Sequence, residues 1–338
     1  MSQSTELSAS IGAAFPRVLL FVPANRTDMY LRAWESEADA IIFDLEDSVP
    51  EAHKGAAREL LVSMKRPEGW TRPIFVRLNS HGTENFDLDL RAVMSMDAPV
   101  AGVMLPKVER AAQVIAVDAA IASCETSGGS ARSDRSRQSD HRVQINLVAE
   151  SNLPAPSPGL ATYRQPNASS ASLALILLVE TPAGVMRMAE IADSGVRRVV
   201  AFAFGAEDYR AGMRVDALDP ALADFARATV SNAAAAAGIP AIDAPLLQLD
   251  NPDALRAATL HARALGFQSK FAIHPSQVGI IHEALAPNAL AGSIDRAWAL
   301  RAVEAYERAV RDGQGSVALD GRMIDEATMK RVRDILKA

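Results

Sequence analysis

Eight short apolar runs divide the chain: Val18 to Val22, Ala40 to Phe43, Pro73 to Leu78, Gly102 to Leu105, Leu173 to Val179, Val199 to Phe204, Pro240 to Ile242 and Phe271 to Ile273. Segments with helical spacing lie between them, among them Thr27 to Ser36, Pro50 to Lys65, Val108 to Ser123 and Ala221 to Ala237. Strand and helix in alternation call for a parallel sheet with helical crossovers, and strands without a polar face are buried on both sides. Eight such units close most simply into a barrel. The expected fold is α/β, a TIM (β/α)8 barrel over residues 15–290 followed by a C-terminal helical extension or lid over 291–338.

Two stretches break this texture. Residues 125–172 are rich in Ser, Arg, Asp, Asn, Pro and Gly, with one apolar piece, Val143 to Val148, that predicts an isolated strand. Such a length far exceeds an ordinary connection of about 2 to 6 residues, so the segment reads as an insertion: a surface loop or an interaction arm. It follows the fourth strand and its helix, which places it at the N-terminal face of the barrel. Beyond the eighth run, Pro275 to Leu285 and Ser293 to Arg311 carry helical spacing. A turn at Asp312-Gly313-Gln314-Gly315 then leads to a last piece, Ser316 to Ala338, which is expected to cap the barrel or reach another subunit.

Nearly every run ends in polar residues: Asp44-Leu45-Glu46-Asp47, Arg77-Leu78-Asn79, Lys107, Glu180, Glu207-Asp208, Asp243 and His274. Barrel chemistry gathers at the C-terminal ends of the strands. Glu180 and Asp208 end adjacent strands. Two carboxylates without His or Cys nearby suit a hard cation such as Mg²⁺, which keeps water or substrate oxygens in its other positions. As salt-bridge or capping residues they would need no cation. Arg77 shares parity with Phe75 and Asn79, so Arg77 and Asn79 are expected together at the mouth. A guanidinium there suits a carboxylate or carbonyl oxygen, or a pairing with an acid on a neighbouring strand. Asp44 and Glu46 point the same way on an extended strand. With Asp47 they are candidates to meet substrate, orient Arg77, support metal-bound water or cap the helix near Pro50.

Composition narrows the class. Hydrophobic residues make up 49% and charged residues 22%, enough for a sizeable core. A net charge of -6 offers no general attraction for nucleic acid or anionic lipid. No run of about 18 apolar residues predicts a membrane span, and the first residues lack a secretory pattern. The one cysteine, Cys124, excludes an intramolecular disulfide, and a cytoplasmic protein is the expectation. Six scattered histidines without HxH or HExxH spacing disfavour zinc. No GxGxxG, P-loop or GxSxG sequence points to dinucleotide, nucleotide or serine-hydrolase chemistry.

Seven motifs, in order along the chain, resemble one family: Arg17-Val-Leu-Leu-Phe-Val-Pro23, Asp39-Ala-Ile-Ile-Phe-Asp-Leu-Glu-Asp-Ser-Val49, Val76-Arg-Leu-Asn79, Leu105-Pro-Lys-Val-Glu109, Val179-Glu-Thr181, Phe204-Gly-Ala-Glu-Asp208 and Ala272-Ile-His-Pro-Ser-Gln277. They are similar to the citrate lyase beta-subunit and HpcH/HpaI aldolase family. The resemblance implies a TIM barrel assembled as a homotrimer or a multiple of it, whose C-terminal segment enters a neighbour's site. It implies a Mg²⁺-dependent carbon-carbon lyase acting on short 3-hydroxyacyl coenzyme A thioesters of malyl, citramalyl or citryl type. By motif, Glu180 and Asp208 match the Mg²⁺ ligands, Arg77 the substrate-binding arginine, Arg17 and Arg26 the coenzyme A phosphate contacts, and Asp325 the acid supplied across the subunit boundary. The sequence departs from the family at Ala24, at Ser269 and in the long 125–172 segment. Alternatives are an aldolase of free hydroxy-oxo acids, a malyl-CoA thioesterase, and a lyase-complex subunit that binds an acyl carrier.

Overall fold

The computed structural model describes residues 15–132, 173–216, 220–286 and 296–337. Eight parallel strands close into a barrel in sequence order: β1 (Val18–Pro23), β2 (Ala40–Asp44), β3 (Ile74–Arg77), β4 (Gly102–Leu105), β5 (Ala174–Val179), β6 (Val199–Phe204), β7 (Ala241–Asp243) and β8 (Ser269–Ala272). The predicted barrel is therefore the observed one. Between and after the strands lie α1 (Thr27–Glu35), α2 (Lys54–Val62), α3 (Glu84–Met94), α4 (Ala111–Arg132), α5 (Pro182–Met186), α6 (Met188–Ala192), α7 (Ala206–Met213), α8 (Pro220–Ala237), α9 (Pro252–Ala264) and α10 (Val278–Leu285). No helix among the described residues is long and apolar enough to cross a membrane.

Alternation along each strand builds two apolar layers. Leu19, Ile42, Phe75, Met104, Ile176, Leu178, Ala203, Ile242 and Phe271 fill the barrel interior. Their neighbours, such as Leu20, Phe43, Val76 and Leu177, pack outward under the helices. Because successive side chains alternate, the inward set continues at the mouth as Asp44, Arg77 and Glu180. Register matters as much as parity: Asp44 lies opposite Arg77 in the β2–β3 ladder.

The β4–β5 seam admits no side chain at one point. A Cβ on Gly102 would lie 2.3 Å from the Ala174 carbonyl oxygen, a backbone atom that cannot step aside. Helix starts are locally specified. Thr83 and Asn251 accept hydrogen bonds from the Phe86 and Ala254 N–H groups at 3.3 and 2.9 Å, capping α3 and α9, and Pro252 opens α9 where no N–H is needed.

Several expectations are revised. The Pro50 to Lys65 segment is a 3-10 turn, Glu51–His53, followed by α2. Helix α4 runs to Arg132, into the stretch read as insertion. Glu125 belongs to the barrel: its Oε1 accepts the Leu173 N–H at 2.9 Å and meets Arg198 at 3.4 Å, tying α4 to the residue that precedes β5. The strand expected at Val143 to Val148 lies outside the described residues.

The tail is more than helical. Helix α11 (Arg296–Arg311) and α12 (Glu326–Lys337) flank an antiparallel hairpin of β9 (Val317–Leu319) and β10 (Arg322–Ile324). Trp298, Ala302, Tyr306, Ile324, Met329 and Val332 give these elements a small core of their own. The turn uses Asp320 and Gly321, both at positive φ, the pairing that a two-residue hairpin turn favours.

Replacing Gly102 by alanine is expected to open the β4–β5 seam and cost about 2 to 4 kcal/mol. Denaturant unfolding of the variant reads this directly; a midpoint equal to that of the wild type would contradict the packing described.

Candidate active site

Asp44 organises the mouth from the end of β2. Its Oδ1 accepts the Glu46 N–H at 2.9 Å and its Oδ2 the Ser48 N–H at 3.0 Å, which folds the Leu45 to Ser48 loop back over the strand end. The same two oxygens take Nε and Nη2 of Arg77, each at 2.6 Å. The guanidinium is thus held as a fork against one carboxylate. Its remaining edge, Nη1, lies 3.2 Å from Glu46 Oε2 and 3.7 Å from Asp47 Oδ2. Arg77 is therefore both a paired residue and a presented one. Burial opposes its charge, but Asp44, Glu46 and Glu180 raise its pKa above the ordinary guanidinium range. Burial likewise works against ionised Asp44, and Arg77 overcomes it, holding that carboxyl below its usual range.

A buried scaffold that sequence reasoning did not find supports this loop. Lys54 Nζ donates to the carbonyl oxygens of Leu45 and Glu46, both at 2.9 Å, and to Asn79 Oδ1 at 2.6 Å. Asn79 in turn donates its Nδ2 to Asp89 Oδ2 at 2.6 Å, and Arg58 Nε reaches Asp89 Oδ1 at 2.7 Å. This corrects the expected placement of Asn79 at the mouth. Strand β3 ends at Arg77, so alternation no longer governs Asn79, which turns into the scaffold instead.

Glu180 and Asp208 come from neighbouring elements, as expected. Glu180 follows β5 and is 3% exposed; Asp208 sits in the first turn of α7 just beyond β6. Glu180 Oε1 accepts the Lys107 main-chain N–H at 2.9 Å. Room for its other oxygen exists because residue 205 is glycine: a Cβ there would lie 2.5 Å from Glu180 Oε2. Burial, with the nearby negative charge of Glu46 and Asp208, pushes the Glu180 carboxyl up to about 8 despite Arg77 and Lys107. Lys107 joins the acids together. Its Nζ is 2.6 Å from Glu46 Oε1, 3.2 Å from Asp208 Oδ2 and 3.5 Å from Asp47 Oδ1.

Asp44, Asp47, Arg77, Glu180 and Asp208 line one side of a cavity of about 450 Å³. The other side is apolar, formed by Phe21, Phe271, Ile273, Ala244, Pro245 and Leu247 from β1, β7, β8 and the loops beyond them. Phe21 and Phe271 pack with ring centroids 4.9 Å apart, and the Arg77 guanidinium lies 5.1 Å from the Phe21 ring. The cavity has a charged wall facing an apolar one, which suits a small acid with a short alkyl portion.

A hard cation fits the charged wall. Among the described residues no group of three or more His, Cys, Asp or Glu side chains is arranged to hold a metal ion. A cation here would take Glu180 and Asp208 and fill its other positions with water or substrate oxygens, which is how Mg²⁺ is commonly held. A carboxyl that is buried, close to other acids and pushed up in pKa is one whose charge a cation would relieve.

Other predicted residues divide. Arg26 stands on the β1–α1 rim, exposed and paired with Asp28 at 2.6 Å. Arg17 is corrected: it precedes β1, so it lies at the N-terminal face, a strand's length (about 20 Å) from the cavity. It cannot meet the phosphates of a ligand seated at the mouth from that side. Asp325 caps α12, accepting the Thr328 N–H at 2.8 Å, and it is absent from the cavity lining of its own chain. His274 accepts the Ser276 N–H and caps a 3-10 turn, while Asp243 pairs with Lys270 outside the barrel interior. Both are structural.

A family profile described as HpcH/HpaI aldolase/citrate lyase matches residues 17–275. The chain belongs to this family. It is 31% identical to the citrate lyase subunit beta of Escherichia coli K12 over 323 residues, covering 95% of this chain and 92% of the relative. Identity to the L-malyl-CoA/beta-methylmalyl-CoA lyase of Rhodobacter capsulatus is 28%, covering 96% and 95%. Among solved structures, CitE from Mycobacterium tuberculosis, in complex with magnesium, acetoacetate and coenzyme A, superposes with a TM-score of 0.67. It is 29% identical, and the match covers 96% of this chain and 98% of that one.

Below pH about 4.5 the Glu180 side chain is protonated whether folded or not; between there and about 8 the folded chain keeps a proton that the unfolded chain releases. Folded stability contributed by this group therefore falls as pH rises through that window. Glu180→Gln, neutral throughout, is expected to gain on the metal-free wild type by at most about 1.4 kcal/mol per pH unit across the window, then level off. Thermal melts in chelator from pH 4.5 to 9 measure it; a difference independent of pH would contradict the burial argument.

Proposed function

We propose that this protein is a magnesium-dependent carbon-carbon lyase that cleaves or forms short 3-hydroxyacyl coenzyme A thioesters of malyl, citramalyl or citryl type. The observation that carries the reading is that Glu180, Asp208 and Arg77, the last clamped by Asp44, line one cavity together. Relatives support the chemistry. A citrate lyase beta subunit of Mycobacterium tuberculosis, 29% identical with a TM-score of 0.59 and covering 81% of this chain and 98% of that one, is complexed with oxaloacetate and magnesium.

Mg²⁺ held by Glu180 and Asp208 would supply Lewis acidity at the oxygens of a 2-oxo or 2-hydroxy acid. Arg77, fixed by Asp44, directs Nη1 at an oxygen on which negative charge moves as the carbon-carbon bond breaks, and such a donor stabilises the transition state only if it is already in place. Glu46 and Asp47 hold the edge of that guanidinium from the other side. In cleavage a base takes the proton of the 3-hydroxyl group. The bond between the hydroxyl-bearing carbon and the carbon next to the thioester then breaks, leaving a carbonyl acid and a thioester enolate that picks up a proton. Asp325 of another copy is assigned as the base. The Thr328 N–H holds its carboxyl below the usual range, so it is ionised at neutral pH. Arg26, on the rim, is assigned to a coenzyme A phosphate, for which it would leave its exposed pairing with Asp28. A homotrimer or a multiple of it, in the cytoplasm, completes the reading.

Glu180→Ala and Asp325→Ala are each expected to lower cleavage by two or more orders of magnitude, the scale of a lost metal ligand or general base. Mixing the two inactive variants under conditions that exchange subunits is expected to restore activity, since mixed oligomers would contain sites with both groups intact. Full activity of either variant alone, or no recovery on mixing when exchange is shown by a tagged subunit, would contradict the assignment of Asp325 across the boundary.

A further inference from the structure

Among the described residues, Lys107 makes a polar contact with both carboxylates of the proposed metal pair. Its main-chain N–H donates to Glu180 Oε1 at 2.9 Å while its ammonium lies 3.2 Å from Asp208 Oδ2. A single residue reaches both because its backbone adopts φ of 52°, in the left-handed region that lysine seldom occupies. Such a conformation persists only when its surroundings hold it, and Lys107 meets four acids here. Glu46 Oε1 accepts from Nζ at 2.6 Å, and Asp47 Oδ1 stands 3.5 Å from the same nitrogen. Glu46 is buried and lies on the loop that Asp44 organises, so the ammonium links that loop to the start of α7.

Charge shows what this link does. Asp44, Glu46, Asp47, Glu180 and Asp208 converge on the mouth, and Asp44 is already matched by Arg77. When ionised, the remaining acids would attract a divalent cation and repel an anionic substrate. An ammonium among them weakens both effects.

We propose that Lys107 is the internal counter-cation of the site, a positioning residue that draws Glu46, Asp47 and Asp208 into one array. It thereby restrains metal affinity so that an anionic acid is accepted. This rests on the metal-site reading above. Lys107 competes with the metal for Asp208 and shields the incoming acid from Glu46 and Asp47.

The test is calorimetric titration of the full-length metal-free protein with MgCl₂ alone, followed by steady-state kinetics with a hydroxyacyl thioester and, in reverse, a 2-oxo acid. Lys107→Met is expected to bind Mg²⁺ about tenfold tighter, the scale of one charge removed a few ångströms from a divalent ion in a water-like dielectric. It is expected to raise KM for the 2-oxo acid by a similar factor, with a smaller change in kcat. Lys107→Asn, which tolerates the left-handed backbone, separates charge from conformation and is expected to behave like Lys107→Met even if the latter folds poorly. Lys107→Arg is expected to return both values toward wild type. Folded neutral variants whose Mg²⁺ affinity is unchanged or weaker would overturn this inference alone. A wild type that binds no Mg²⁺, or whose binding survives Glu180→Gln, would overturn the metal-site reading and the inference with it.

Discussion

The two-pronged pair of Arg77 with Asp44 is the interaction on which the rest of the site depends. It exists because β2 and β3 are parallel in a register that sets these two residues opposite one another, both facing inward at the strand ends. Taking two charges out of water is costly. The pair is maintained because Asp44 also accepts the Glu46 and Ser48 N–H groups, so its lone pairs are used in the fold. Breaking such a pair by removing one partner costs about 3 to 5 kcal/mol and leaves the other charge buried. Three consequences follow from keeping it: the guanidinium cannot rotate, one edge remains to meet an oxygen, and the loop bearing Glu46 and Asp47 is folded against it.

Around that pair the mouth carries more acid than base. Burial makes the excess harder to bear, and the Glu180 carboxyl responds by holding its proton to about pH 8. A cation relieves the crowding, and the protein supplies one of its own in Lys107. Opposite this charged wall, Phe21, Phe271 and Ile273 make the far side of the cavity apolar. Low polarity there strengthens whatever electrostatic contacts form across it, which is the condition under which fixed donors act on a developing charge.

The barrel was legible because periodicity and order are local properties: eight apolar runs alternating with helices leave few closures available. The place of Glu180, Asp208 and Arg77 at the mouth was legible because strand ends are where a barrel places its polar side chains. Asn79 was misread because alternation stops where the ladder stops, and the Lys54–Asn79–Asp89 scaffold joins residues far apart in sequence whose types alone announce nothing. Arg17 was assigned by motif against topology: a residue that precedes a barrel strand belongs to the other face. Lys107 stood at a strand end in plain view, but its left-handed backbone and its reach to four acids are properties of the folded loop. The hairpin in the tail is absent from the reading of that stretch as helical, although Asp320-Gly321 carries a turn signal.

The proposed chemistry is a carbon-carbon bond broken or made at the charged wall under control of Mg²⁺. Product analysis with malyl, citramalyl, methylmalyl and citryl coenzyme A, with Mg²⁺ and with chelator, tests this most directly. A 2-oxo acid and a shorter acyl-CoA are expected in equal amounts from at least one of the four, lost in chelator and restored by Mg²⁺. Free coenzyme A with the intact hydroxy acid, or cleavage that persists without a divalent cation, would contradict it.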